Sequence, residues 1–164
     1  MIMTLRTLDY EGLKASLPED ARLLIWSCNT CARMCGGLGG RSSTESLANM
    51  LESDGRTVVG REVLTASCFL SAVRKRLERP EFREMVERAT HVIPLTCSTG
   101  AALLLKEMPH LQMIDVGRTI GLGYLSESRG PVLTSSLLDE LIVPGDGMPL
   151  NEVAEALGLH LGPF

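Results

Sequence analysis

The chain has 164 residues, 45% of them hydrophobic and 22% charged, which suits one folded domain with a short addition and excludes disorder as the dominant state. Its net charge of −4 and an aromatic content of 4% argue against nucleic acid as a partner, since neither a basic field nor stacking rings are supplied. No apolar run approaches the roughly 20 residues that cross a membrane, and Met1–Asp9 lacks a secretory leader, so a cytoplasmic protein without membrane insertion is expected.

In chain order, Asp9 to Leu17 reads as a short helix stopped by Pro18, and Arg22 to Ser27 as a buried strand. A loop begins at Cys28 and runs through the glycines to Gly40. Ser42 with Glu45 spells a capping box, and Leu47, Met50 and Leu51 form the apolar stripe of the helix behind it, ended at Asp54-Gly55. Thr57 to Leu64 is a second strand. Cys68 stands before a helix over Phe69 to Leu77, Pro80 breaks the pattern, and Glu81 to Ala89 resumes it. The mixed charges around Pro80 read as a solvated face.

His91 to Thr96 is a third strand, although Pro94 counts against its regularity. Cys97 follows, then an apolar helix from Ser98 to Leu105 and a fourth strand from Leu111 to Val116. Gly117 to Tyr124 reads as a glycine-rich loop. Beyond Thr134, Leu137 to Ile142 and Asn151 to Leu157 read as short helices. Strand and helix alternate about every thirty residues, the rhythm of right-handed βαβ units. The fold expected is α/β, a three-layer parallel sheet of about four strands in the flavodoxin/Rossmann-like manner. Residues 1–133 are expected to form that α/β domain, which also holds every cysteine, and 134–164 a helical C-terminal appendage.

The cysteines carry the chemistry. Cytosolic thiols stay reduced, so five of them at uneven spacing point to metal or redox work rather than disulfides. Cys28, Cys31 and Cys35 form C-x2-C-x3-C, a spacing that can aim three sulfurs at one point. Cys28, Cys68 and Cys97 each follow a strand, and in a parallel sheet those carboxyl ends share one edge. Three segments distant in sequence are therefore expected to meet. Gly36, Gly37, Gly39 and Gly40 are expected to bring backbone N–H groups to sulfur. Gly117 and Gly121 form a weaker, phosphate-loop-like candidate for cofactor contact. The rival readings are structural zinc on four cysteines, a dithiol pair at Cys28 and Cys31, and cysteines that merely fill the core. His91, His110 and His160 show no ligand spacing, and no acid–base or nucleophilic set stands out.

Taken in order, C-N-T-C-A-R-M-C-G-G after a strand, S-C-F-L, L-T-C-S-T-G and D-V-G-R-T-I-G-L-G resemble the small iron–sulfur partner subunit of methylenetetrahydrofolate reductase. The resemblance spans roughly Asp9 to Tyr124. It implies an electron-transfer subunit of one-carbon metabolism, not catalytic itself, that holds a four-iron, four-sulfur cluster and docks on a flavin-containing reductase. The family's cysteines match Cys28, Cys31, Cys35, Cys68 and Cys97; with four ligands needed, Cys68 is the expected odd one. Longer relatives add a second cysteine-rich segment. This chain has no cysteine after Cys97, so it resembles a shortened form with a single centre. The alternative is a zinc-binding assembly module whose apolar tail, Leu137 to Leu161, docks on a partner enzyme; less favoured is an enzyme binding a small ligand at Gly117–Gly123.

Overall fold

The structure is a computed structural model that describes residues 1–164 throughout. The chain opens with β1 (Ile2–Arg6), α1 (Tyr10–Ser16), β2 (Arg22–Cys28), α2 (Cys31–Met34), α3 (Arg41–Ser53) and β3 (Thr57–Leu64). It continues with α4 (Leu70–Leu77), α5 (Pro80–Arg88), β4 (His91–Leu95), α6 (Ser98–Glu107) and β5 (Gln112–Met113). It closes with β6 (Gly117–Ser126), β7 (Gly130–Ser136), β8 (Met148–Pro149) and α7 (Leu150–Leu157).

Two sheets share the molecule. The first is parallel, in the order β3-β2-β4-β5. Every residue of β2 except Arg22 is buried, as expected of a strand covered on both faces. On one face Leu23, Ile25, Ile93 and Leu95 meet Leu13 of α1 and Leu47, Ala48 and Leu51 of α3. On the other, Leu24, Trp26 and Val92 meet Val73 of α4, Phe82 and Val86 of α5 and Leu104 of α6. Helix, sheet and helix make three layers. The α/β class and the parallel four-stranded sheet are therefore as the sequence suggests.

Pro94 is accommodated in β4 because of where its nitrogen faces. The Val92 carbonyl accepts from Ile114 N–H at 2.9 Å, and strand alternation turns Pro94 to the same side. Pairing with β5 ends at Met113, so the missing N–H interrupts no ladder bond. Pro80 starts α5 rather than merely breaking a helix, since its fixed φ suits the first turn.

The second sheet is antiparallel, in the order β1-β6-β7-β8, and α7 packs on it through Leu150, Val153 and Ala154 against Met3, Leu5, Ile120 and Leu133. It corrects several expectations. Gly117 to Tyr124 is not a loop but most of β6. Its glycines permit close backbone approach: a Cβ on Gly121 would lie 2.0 Å from Ser135 O, and one on Gly123 equally close to Val132 O. Leu137 to Ile142 forms no helix, and the Ser136 hydroxyl bonds both the N–H and the carbonyl of Leu138 there. The fourth parallel strand shrinks to Gln112–Met113 as the chain leaves to enter β6. The capping box at Ser42 does not form either: α3 starts at Arg41 with Gly40 as its N-cap and no side-chain cap. Position 133/134 lies inside β7, and the residues beyond it supply β8 and α7 to the same sheet as β1. No helix is long and apolar enough to cross a membrane.

Candidate metal centre

Counting only the parallel strands, the spatial order is second, first, third, fourth. The order reverses between β2 and β4, and the crevice outside the carboxyl ends at such a point is where open α/β sheets bind ligands. Cys28 ends β2, in register with Leu64 at the end of β3. Ser27, one residue earlier, is in register with Leu95 at the end of β4, and Cys97 follows two residues on as the N-cap of α6. Cys68 lies in the turn between β3 and α4, and Cys31 opens α2. Three adjacent strands thus deliver these cysteines to one edge.

All five thiols are free. They descend from surface to floor: Cys68 is exposed, Cys31 partly so, and Cys28 and Cys97 are only 4% and 5% exposed. Cys68 is raised above the ordinary thiol range by burial first, and then by the negative charges of Cys97, Cys28 and Cys31. Cys97, Cys28 and Cys31 therefore each lie within electrostatic reach of Cys68. Cys28 behaves oppositely. Burial pushes its thiol up, but hydrogen bonds from the hydroxyl and backbone of Thr30 and of Ser67 outweigh that and leave it below the ordinary value. Its Sγ lies 3.3 Å from Thr30 Oγ1 and 3.8 Å from Thr65 O. Ser67 is in turn held by the Trp26 indole N–H, 2.9 Å from its Oγ.

Cys35 stands apart. It is fully buried at the end of α2, its Sγ is 3.9 Å from Met1 Sδ, and it packs with Leu5, Leu150 and Val153 in the core of the antiparallel sheet. Burial, with a further push from the charge of Cys31, raises its thiol to about 11. That neutral thiol has a consequence for stability. An acid whose folded value lies above its unfolded one stabilises the fold fully below the unfolded value, and this is lost as pH rises through the folded one. Between about pH 9 and 11 the wild type should lose up to about 2 kcal/mol that Cys35→Ala does not, read by urea unfolding across that range. Equal pH profiles for the two proteins would contradict the assignment.

The glycine loop is built differently from expectation. Gly37 N–H donates to Arg33 O at 3.2 Å, Gly39 N–H to Ala32 O at 3.1 Å and Gly40 N–H to Ser27 Oγ at 2.8 Å, so these amides are engaged by the loop and β2, not by sulfur. Gly39 is needed for closeness: a Cβ there would lie 2.4 Å from Cys28 O and 3.0 Å from Leu95 O. Gly36 (φ +112°) and Gly37 (φ +72°) face the C-terminal segment, where Gly162 N–H donates to Gly36 O at 2.7 Å and Pro163 packs beside Gly37. Gly117 lies next to Thr96 O, one residue from Cys97, whereas Gly121 is held inside the antiparallel sheet between Met3 and Ser136. The Ser98 amide at the start of α6 is taken by Thr119 Oγ1 at 2.9 Å.

None of the histidines joins the thiols. His91 begins β4, at the sheet edge opposite Cys97, with Nδ1 2.8 Å from Thr90 Oγ1. His110 lies 3.4 Å from Val86 O, and His160 pairs through its backbone with Arg6. Sequence reasoning missed Thr30 and Ser67, the hydrogen-bond partners of Cys28; a hydroxyl two residues after a cysteine was the only available signal. It also missed Met1 over Cys35, which depends on β1 pairing with β6.

No three His, Cys, Asp or Glu side chains stand at the spacing of a bound metal ion. The donor chemistry is nonetheless that of a sulfur-rich centre: four thiols on three adjacent βα junctions, with no carboxylate or imidazole among them. Comparisons of the chain with family models, with curated proteins and with solved structures find no match.

Proposed function

We propose that the chain is an iron–sulfur accessory subunit that carries electrons for a methylenetetrahydrofolate reductase-type or related one-carbon complex. The observation that supports this most directly is the meeting of Cys28, Cys31, Cys68 and Cys97 at the switch point of a parallel sheet, each within the electrostatic reach of Cys68. The motif order noted in the sequence points to the family, and the parallel order β3-β2-β4-β5 is compatible with the flavodoxin-like manner expected of it.

In this reading those four thiols would be the ligands. Cys35 fills the core instead of Cys68 being the odd one. A four-iron, four-sulfur cluster supplies one-electron transfer when bound. The protein's own contribution is to favour the thiolate form of Cys28 through hydrogen bonds from Thr30 and Ser67, and to keep Cys28 and Cys97 from water while Cys31 and Cys68 are the more exposed. Phe69, 62% exposed next to Cys68, and Met34, exposed at the end of α2, offer apolar contact surface for a flavin-containing reductase.

Purification without air, followed by iron and sulfide analysis and a visible absorption spectrum, tests the proposal. Near-stoichiometric cluster iron with broad visible absorption is expected. A colourless protein holding one equivalent of zinc would end the electron-carrier role and leave the assembly module.

A further inference from the structure

Away from the thiols, a cavity of about 500 Å³ opens between α3, the free edge of β3 and α4. Three of the residues lining it are arginines, Arg41, Arg61 and Arg76, and they come from those three separate elements. For a chain of net charge −4, that concentration of cations in one concavity calls for an account. Ion pairing accounts for part of it: the nearly buried Glu62 carboxylate holds Arg76, whereas the exposed pairs of Arg41 and Arg61 contribute little to stability and do not require a common hollow.

The arginines are only partly engaged. Arg61 reaches Glu52 Oε1 through Nη2 at 2.5 Å, and Arg76 reaches Glu62 Oε1 through Nη2 at 3.0 Å. Arg41 has only a long 3.8 Å contact to Glu45 on its own helix. Each guanidinium carries five N–H donors in a planar fork, so most of each fork stays available for a bidentate oxyanion. Asn49 adds an amide to the wall. β3 is the outermost strand of its sheet, so its outer backbone edge faces the same space without a partner strand.

Glu62 fixes the cationic character. It is 9% exposed, and burial holds its carboxyl above the usual range against the opposing pull of Arg76, Arg79 and Arg41. Its anion needs those arginines nearby, which anchors them at the cavity. Counting Arg79, which acts on Glu62, and Glu52, which holds Arg61, four cations face three carboxylates. One positive charge remains over.

We propose that this cavity is a binding site for a small oxyanion, the phosphate or carboxylate group of a polar metabolite, clamped between Arg61 of β3, Arg76 of α4 and Arg41 of α3. The volume is that of a small-molecule pocket, and its almost wholly polar lining excludes an apolar ligand. The site is independent of any metal at the cysteines.

Calorimetric titration of the full chain with inorganic phosphate and, separately, with succinate tests it. Saturable binding of at least one anion is expected, weakened about tenfold or more in Arg61→Gln with an unchanged thermal melt. Tighter binding of phosphate assigns phosphate esters, and tighter binding of succinate assigns carboxylates. If Arg61→Gln disturbs the fold, Arg41→Gln carries the test, since Arg41 is 80% exposed and holds no packing. Absence of saturation by either anion up to about 20 mM, or equal affinity in wild type and both variants, would overturn the proposal.

Discussion

Cys28→Ser and Cys97→Ser are each expected to lower the cluster iron recovered without air about tenfold or more, whereas Cys35→Ala should retain it. The contrast follows from position. Cys28 ends β2 and Cys97 follows the adjacent β4 at the same carboxyl edge, both almost out of solvent, and both act electrostatically on Cys68. A serine at Cys28 keeps a hydroxyl within reach of Thr30, Ser67 and Thr65 O, so the fold should survive while the thiolate is lost. Cys35 instead packs against Met1, Leu5 and Leu150, and its removal should cost about 1–2 kcal/mol of stability without affecting metal content. Parallel iron assays and urea unfolding of the three variants decide the matter. Iron loss in Cys35→Ala as large as in Cys28→Ser would return Cys35 to the ligand set and reject the assignment made from the fold.

Trp26→Ala should be the most damaging single substitution in the core, destabilising by about 3–5 kcal/mol in urea unfolding. The indole is fully buried at the centre of the parallel sheet, in edge-to-face contact with Phe82 at 5.5 Å between ring centroids. It also donates to Ser67, the residue that steadies Cys28. Trp26→Phe separates the two roles. It keeps an aromatic ring against Phe82 but leaves the buried Ser67 hydroxyl without its donor, so a smaller loss of about 1–3 kcal/mol is expected. A cost below about 1 kcal/mol for the alanine variant would mean that this face of the sheet is not packed as described.

The parallel sheet was legible because its elements announce themselves locally. R-L-L-I-W-S-C is apolar without alternation, and the stripes of α3 and α5 repeat at helical spacing. The antiparallel sheet was not legible. In G-R-T-I-G-L-G-Y the glycine density outweighs the strand pattern, although Gly121 and Gly123 are there to let β6 and β7 approach each other. β1 is short and lies among residues that carry no turn or cap signal, and it becomes a strand by pairing with β6 more than one hundred residues away.

By itself the sequence determined that a strand precedes each of Cys28, Cys68 and Cys97, and that parallel strands bring such positions to one edge. That follows from backbone geometry and chain direction alone. Only the tertiary structure decided that Cys35 leaves the carboxyl edge, since it packs into a core formed by β1, β6 and α7, and no local spacing encodes that contact. The same holds for the loop amides, which pair with carbonyls and with Ser27 because the chain must satisfy its buried N–H groups wherever packing leaves an acceptor.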